Sequence, residues 1–503
     1  MSIYKKVVFT ISALSAFGYS LTIEELKSMP KSIERDFYIW KFLKEPNTTK
    51  DKAIKASSLI YHVNGKLDKA YYKKSHKHLP KKVYRASKED ILKYSKMINR
   101  LLKSGNFYQS WLKLNSLDKL NTFVLAGTAN RKLLNKKLDS YIYRDFQKNK
   151  KVNQFIYRAF RENLTNLKTL ILDTQPIKGN KITYRNLMKL GFKNLLRKKP
   201  NMASWFFESA RAKAKNRFYA DNSLFWLYMA TKNSIYLKKL ANSYDYNIYK
   251  LIALDFLNRD YPAPPSSTIN INRESKIDIT NPIEWAKLKK KIFSNKYNLF
   301  KLAQEYNSLK SSSFYYYILN KAYKDTKQYF PMPYRNLIYS YGVDRQALIY
   351  AIARQESRFI PSSVSSSFAV GMMQFMPFLV KHISKQRGEN ISLDDMFKPA
   401  VSLRFANTHL NYLNKHLYHP LFVAYAYNAG IGYTRRLIRK NIFKSGKYEP
   451  YISLEMVDND EARYYGKRVL GNYIIYKKLL GSPVKITTLL NQLDKPELTD
   501  RFR

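Results

Sequence analysis

Glycine is distributed along this chain in a way that limits its architecture. Six of the 15 glycines fall in residues 1–328 and nine in 329–503. A long segment with so few residues free to take positive φ has few sites for tight hairpin turns and must be built from long periodic elements. The period is helical. In the stretch 88–107, Ile91, Leu92, Tyr94, Ile98 and Leu101 recur at helical spacing and Gly105 ends the pattern. In 220–243, Asp221 or Asn222 is a predicted N-cap ahead of Leu224, Phe225 and Leu227. Short polar breaks separate such segments up to about Asn258. The first part of the chain is therefore read as an α-superhelix of stacked helical hairpins.

Composition narrows the partners. The chain of 503 residues has 90 Lys+Arg against 37 Asp+Glu, a formal net charge of +53, and no cysteine. A hydrophobic content of 45% with 15% aromatic residues is enough to bury a large core, which argues against a disordered basic protein. Without cysteine there is no disulfide framework, no thiolate zinc site and no cysteine nucleophile. The charge calls for a polyanionic partner: nucleic acid, an anionic membrane or an anionic wall polymer. It is uneven, with +12 in 329–503 and +41 in the preceding 328 residues.

The N-terminus favours the wall polymer. Lys5 and Lys6 precede an apolar run from Val7 to Leu14, and Gly18 and Ser20 provide small residues for cleavage after Ser20. This is the layout of a secretory signal peptide, so residues 1–20 are expected to be removed on export. No later apolar run reaches the roughly 20 residues that span a bilayer. Two proline breaks then divide the chain, Tyr261-Pro-Ala-Pro-Pro265 and Phe330-Pro-Met-Pro333. The predicted organisation is a signal peptide (1–20), an α-superhelical scaffold (21–260), a helical linker domain (261–328) and an α-rich catalytic domain (329–503). The fold class is mainly all-α.

Four segments of the last domain carry chemistry. In Asp344–Pro361, Asp344 is a predicted N-cap and Pro361 is predicted to stop the helix near Ile360. Ile349, Ile352, Ala353 and Glu356 fall at i, i+3, i+4 and i+7, which puts Glu356 on the apolar face of the last turn. Desolvation and the negative end of the helix dipole both raise the pKa of a carboxyl placed there, as a general acid near neutral pH requires. The second segment, Gly371-Met-Met-Gln-Phe-Met-Pro377, reads by composition as a greasy helix start with methionine filler. The third, Ala424-Tyr-Ala-Tyr-Asn-Ala-Gly430, sets Tyr427 and Asn428 before a Gly C-cap. The fourth, Glu461-Ala-Arg-Tyr-Tyr465, offers either tyrosines for stacking on sugar rings or a solvated charge pattern.

Taken in this order, Glu356-Ser357, Gly371–Pro377, Ala426–Gly430 and Glu461-Ala-Arg463 resemble the soluble lytic murein transglycosylases, whose catalytic domain is goose-lysozyme-like. The resemblance covers about 330–480 and is looser elsewhere. It implies cleavage of the β-1,4 bond between N-acetylmuramic acid and N-acetylglucosamine in peptidoglycan, leaving a 1,6-anhydromuramyl end. It implies Glu356 as the single acid/base, with Ser357, Ser365, Met373, Gln374, Met376, Tyr427, Asn428 and Glu461 in substrate binding, no metal, no cofactor, and a periplasmic location. A single carboxylate suffices if the substrate's 2-acetamido oxygen stabilises the charge at C1 and its C6 hydroxyl attacks internally, whereas hydrolytic glycosidases use two. Two departures stand out. Phe368 replaces the family's Gly, and Phe takes positive φ less cheaply than Gly does. Ile431-Gly432-Tyr433 replaces the usual Pro-Gly-Arg.

Three alternatives stay open on sequence alone. One is a hydrolytic muramidase with Asp394 or Asp395 positioning water. The others are a non-catalytic wall-binding scaffold and a basic nucleic-acid-binding protein. The charge distribution leads to one further expectation, that 329–503 keeps its chemistry in isolation while the scaffold holds the wall.

Overall fold

The computed structural model describes residues 21–80 and 88–503, so the signal-peptide expectation for 1–20 lies outside the described residues. Among them the chain forms 28 α-helices and no strands, with only isolated bridges such as Val364 to Val370 and Val370 to Phe375. The all-α expectation holds. No described helix is long and apolar enough to cross a membrane, and no cluster of three or more His, Cys, Asp or Glu side chains among the described residues is arranged to hold a metal ion.

The chain divides into two compact units. One comprises Lys82–Asp245 and Tyr249–Asp260. It is a run of short helices and includes the consecutively packed Tyr184–Leu196, Pro200–Arg211 and Arg217–Thr231. Gly191 permits the first of these contacts: a Cβ there would sit 2.3 Å from the Phe207 ring. Two local readings are corrected in this unit. The helix carrying Asp221 begins at Arg217 under an Asn216 cap, so Asp221 and Asn222 lie inside it. Asp221 is buried because Arg217 pairs with it at 2.8 Å and the Ser243 hydroxyl donates to it at 2.5 Å. In the helix Lys88–Lys103, Tyr94, Ile98 and Leu101 are buried but Ile91 and Leu92 are exposed, so the apolar stripe is narrower than the periodicity implied. Gly105, at φ 74°, follows the helix end as expected.

The other unit combines the N-terminal stretch up to Lys81 with Tyr261–Arg503 and Tyr246–Ile248. The stretch 21–80, assigned from sequence to the scaffold, packs here. Its helices Ile33–Lys44 and Gly65–Ser75 bring Phe37, Trp40, Asn64 and Lys66 against the segment 364–397. Residues 261–281 run without helix through the first proline break. The helices Pro282–Ile292, Leu299–Glu305 and Ser312–Ala322 then enclose a core of Trp285, Leu288, Phe314, Ile318 and Leu319, which Ile360 joins from beyond the second break. A cavity of about 920 Å³ lined by Arg273, Tyr316, Pro333 and Arg335 lies in this region and includes none of the residues singled out for chemistry.

Candidate active site

Three helices build the site: Val343–Glu356, Pro420–Ala429 and Asp460–Leu479. The first packs along the third, with Ile349, Ile352 and Ala353 fully buried. The second reaches the third where Gly466 leaves room, because a Cβ there would stand 2.3 Å from the Tyr425 ring. Two ionic links, one of them fully buried, fix the third helix. Arg463 donates to the Val457 carbonyl at 2.7 Å and pairs with Asp460, and Lys467 pairs with Glu455 at 2.6 Å away from solvent. Burial pushes the Lys467 ammonium down to about 8, with Glu455 opposing.

The first helix begins under Gly342, with Asp344 one residue inside its first turn and bonded to Lys477 and to Tyr473, which donates at 3.0 Å. Asp344 is therefore not the N-cap. The helix ends at Glu356, four residues short of Ile360. Arg358 and Phe359 both take left-handed φ, 55° and 68°, which breaks the helix before Pro361 can. The break turns Phe359 and Ile360 into the core and leaves Glu356 as the last helical residue, where no following turn covers its carboxyl.

Glu356 is half-buried, and its carboxyl is raised from 4.5 to about 7. Loss of solvation is the largest cause. The Tyr465 hydroxyl, donating to Oε1 at 2.6 Å, pulls the other way, and the charge on Glu461 adds to the rise. Tyr465 is the partner that the sequence reading missed. It sits at i+4 from Glu461 in the segment already singled out, and that spacing puts both on one helix face.

The other expected residues fall into two sets. Gln374, Met376, Tyr427 and Asn428 are half-buried and Glu461 is exposed. Asn428 Nδ2 donates to Glu461 Oε1 at 3.4 Å, which joins two of the four sequence segments. Ser357 and Met373 are instead buried and face the protein. The Ser357 hydroxyl donates to the Met372 carbonyl at 2.7 Å, and the Met373 carbonyl accepts from Tyr427 Oη at 2.9 Å. Ser365 is half-buried, and its hydroxyl accepts from the Ala369 amide at 2.9 Å. Tyr427 is flanked by the rings of His409 and Phe375, 5.5 and 6.1 Å away. Burial drives the His409 imidazole down to about 4, so it is a neutral wall of the site at neutral pH. No sequence motif marked it.

The loop between the first two segments is tightly specified. Val370 and Phe375 exchange amide bonds at 2.9 and 3.0 Å, and Gln374, at φ 52°, folds its own amide back onto the Gly371 carbonyl at 2.7 Å. Gly371, at φ 81°, has no room for a side chain, since a Cβ would lie 2.3 Å from the Met396 carbonyl oxygen. Gly430, at φ 86°, ends its helix as expected. Phe368 does take positive φ, 60°, and is fully buried. The left-handed conformation costs roughly 1–2 kcal/mol, whereas burying a Phe side chain contributes about 1.5–3 kcal/mol. Packing therefore offsets the strain. The Asp394 and Asp395 carboxylates are engaged elsewhere, Asp394 with Lys41 and Asp395 with Lys398 at 2.8 Å and with the Ser392 hydroxyl at 2.6 Å.

The described residues thus form an all-helical fold that holds a protonatable carboxyl at a helix end, braced by a tyrosine and a close-packed methionine-rich loop, a site equipped for acid/base chemistry. The comparison with known proteins makes the class particular. Residues 335–449 match the family described as "Transglycosylase SLT domain", and the chain carries such a domain. Over 174 residues it is 29% identical to the soluble lytic murein transglycosylase of Salmonella typhimurium, covering 33% of this chain and 26% of that protein. Over 170 residues it is 28% identical to the Escherichia coli protein of the same name, covering the same 33% and 26%. The matched stretch thus spans about a quarter of the length of these curated relatives. Among solved structures, an inactive mutant of the lytic transglycosylase Slt from Pseudomonas aeruginosa is similar at 17% identity and a TM-score of 0.45, over 90% of this chain and 83% of that one.

Proposed function

We propose that this protein is a peptidoglycan lytic transglycosylase acting in cell-wall turnover in the periplasm. In this reading Glu356 protonates the glycosidic oxygen between N-acetylmuramic acid and N-acetylglucosamine. The acetamido oxygen stabilises the positive charge that develops at C1. The Glu356 carboxylate then takes the proton from the C6 hydroxyl as that oxygen closes onto C1, so one residue serves as acid and then as base. The product ends in a 1,6-anhydromuramyl sugar. Gln374, Met376, Asn428 and Glu461 contact the glycan, Tyr427 and Tyr465 orient the carboxyl and the acetamido group, and Ser357, Ser365 and Met373 hold the loop beneath them. No metal or cofactor takes part.

The observation that carries this reading is the Glu356 carboxyl itself, titrating at about 7 at a helix end with Tyr465 donating to it at 2.6 Å. A group poised there is half protonated at neutral pH and serves both halves of the cycle. Digestion of purified peptidoglycan followed by mass spectrometry of the fragments tests it. Anhydro ends, each lighter than a reducing end by one water, are expected, and E356Q should release no fragments. Ordinary reducing ends would refute the transglycosylase step.

One observation favours a second reading, a hydrolytic muramidase. Glu461 is close enough for its charge to raise Glu356, so a second carboxylate does stand by the first. Under hydrolysis it would activate water, and E461Q would abolish cleavage. Under the transglycosylase reading E461Q keeps its anhydro products and loses mainly affinity.

A further inference from the structure

The N-terminal helices 33–75 meet the active-site loop at several points, from two sides. Phe368, fully buried, packs against both Phe37 and Trp40 at ring-centroid distances of 6.0 and 5.5 Å, and Phe37 also packs edge-on against Phe397 at 6.1 Å. At the loop tip, Asn64 Nδ2 donates to the Ser366 carbonyl at 2.8 Å, and the Lys66 ammonium donates to the Ser367 carbonyl at 2.7 Å and stands 4.0 Å from Met376 Sδ. Lys41 pairs with Asp394 just beyond. The loop so held is the one whose Met372 and Met373 carbonyls accept from Ser357, the residue after Glu356, and from Tyr427, whose hydroxyl lies within reach of the Glu356 charge. Its tip residues Ser366 and Ser367 are exposed and, within the loop, Ser367 is tied only through its amide to Ser365 Oγ at 3.3 Å.

We propose that Asn64 and Lys66 are positioning residues for the reaction: from about 300 residues away in sequence they fix the tip of the loop 363–376, and through the Met372 and Met373 carbonyls they fix Ser357 and Tyr427 against Glu356. The tip carbonyls would otherwise rest in solvent, leaving the tip held by the bonds among Ser365, Phe368 and Ala369. The activity part of this inference rests on the function proposed above, and the structural part does not.

The test uses the full-length chain with the pair N64D and K66M. The N64D carboxylate keeps the acceptor that caps the helix Gly65–Ser75, where Asn64 Oδ1 accepts from Leu67 at 2.9 Å, but lacks the donor to Ser366. Hydrogen exchange read by mass spectrometry should show the amides of Val370, Gly371 and Phe375 exchanging about 10-fold faster, the loss of two hydrogen bonds. Amides of the helix Val343–Glu356 should keep their rates. On soluble glycan kcat should fall about 10-fold with KM within about 2-fold, and K66R, which restores a donor, should recover most of the loss. Unchanged loop exchange in the double variant would overturn the proposal, as would acceleration spread evenly over the chain. If the loop exchanges faster but wild type cleaves no peptidoglycan, the positioning of the loop stands and the functional reading falls.

Discussion

Replacing Glu356 by Gln should stabilise the protein, and only in a defined pH window. The folded carboxyl titrates at about 7 and an ordinary one at 4.5. Between those values the folded state holds a proton that the unfolded chain has released. Stability therefore falls as pH rises through this interval, because the folded state binds more protons. Above about pH 7 both states are ionised, and the folded protein carries the full cost of a desolvated charge. At about 1.4 kcal/mol per pH decade that cost is about 3 kcal/mol, a ceiling because the side chain is only half-buried. Gln is isosteric and neutral, and its carbonyl oxygen can still accept from Tyr465. E356Q should therefore match wild type below pH 4.5, where both are uncharged, and melt roughly 5 °C higher at pH 8. Calorimetric scans of both proteins from about pH 4 to 9 measure the difference directly. A difference that is flat across pH, or a less stable E356Q at about pH 8, would refute the account of Glu356 as a carboxyl strained by desolvation. Cleavage by the wild type should decline as pH rises through about 7, as the acid form is lost.

Two neighbours tune that titration in opposite directions. Y465F removes the hydrogen bond that lowers the Glu356 pKa, so the alkaline limb of the pH–rate profile should move up, while E461Q removes a charge that raises it and should move the limb down. Opposite displacements in the two profiles are the expected result, and a common direction would contradict the assignment. G371A forces a Cβ to within 2.3 Å of the Met396 carbonyl at a position of positive φ. It should destabilise the unit by about 3 kcal/mol or more, read as a fall in the melting temperature. G432A, whose nearest neighbour is the Arg436 side chain at 3.8 Å, should be close to neutral.

What was legible in the sequence was what local periodicity can encode. The all-helical class followed from helical spacing and scarce glycine. The half-buried setting of Glu356 followed from its place on an apolar face, and the Gly430 cap from its place after a helical run. Errors arose where a residue's role is set by something distant. Asp221 has the chemistry of an N-cap, but Arg217 and Ser243 bury it mid-helix. The helix stops at Glu356 and not at Ile360, because Arg358 and Phe359 take left-handed φ and the chain turns Phe359 and Ile360 into the core. The role of Tyr465 is not encoded locally, since its partner lies 109 residues away on another helix. His409 carries no motif at all, being a wall residue marked by its packing on Tyr427, Phe375 and Tyr412.

Phe368 shows how far such distant terms reach. Judged locally it is a poor substitute for glycine, since it occupies a left-handed turn at a cost of roughly 1–2 kcal/mol. It is tolerated because Phe37 and Trp40 cover it, and these lie in residues that the sequence assigned to a separate scaffold. The same helices supply the donors for Ser366 and Ser367 and the cation for Asp394. Cutting the chain at residue 329 would therefore expose the Phe368 ring, leave the strain of its turn uncompensated and free the tip of the loop that braces Tyr427. The expectation that 329–503 works in isolation rested on placing the whole catalytic apparatus in one continuous segment. The packing of residues 33–75 on the loop removes that premise. A minimal folded piece around Glu356 has to bring the N-terminal helices with it, and the +41 of the preceding 328 residues cannot be assigned to wall binding alone when some of those cations, Lys41 and Lys66 among them, are bonded to the unit that carries Glu356.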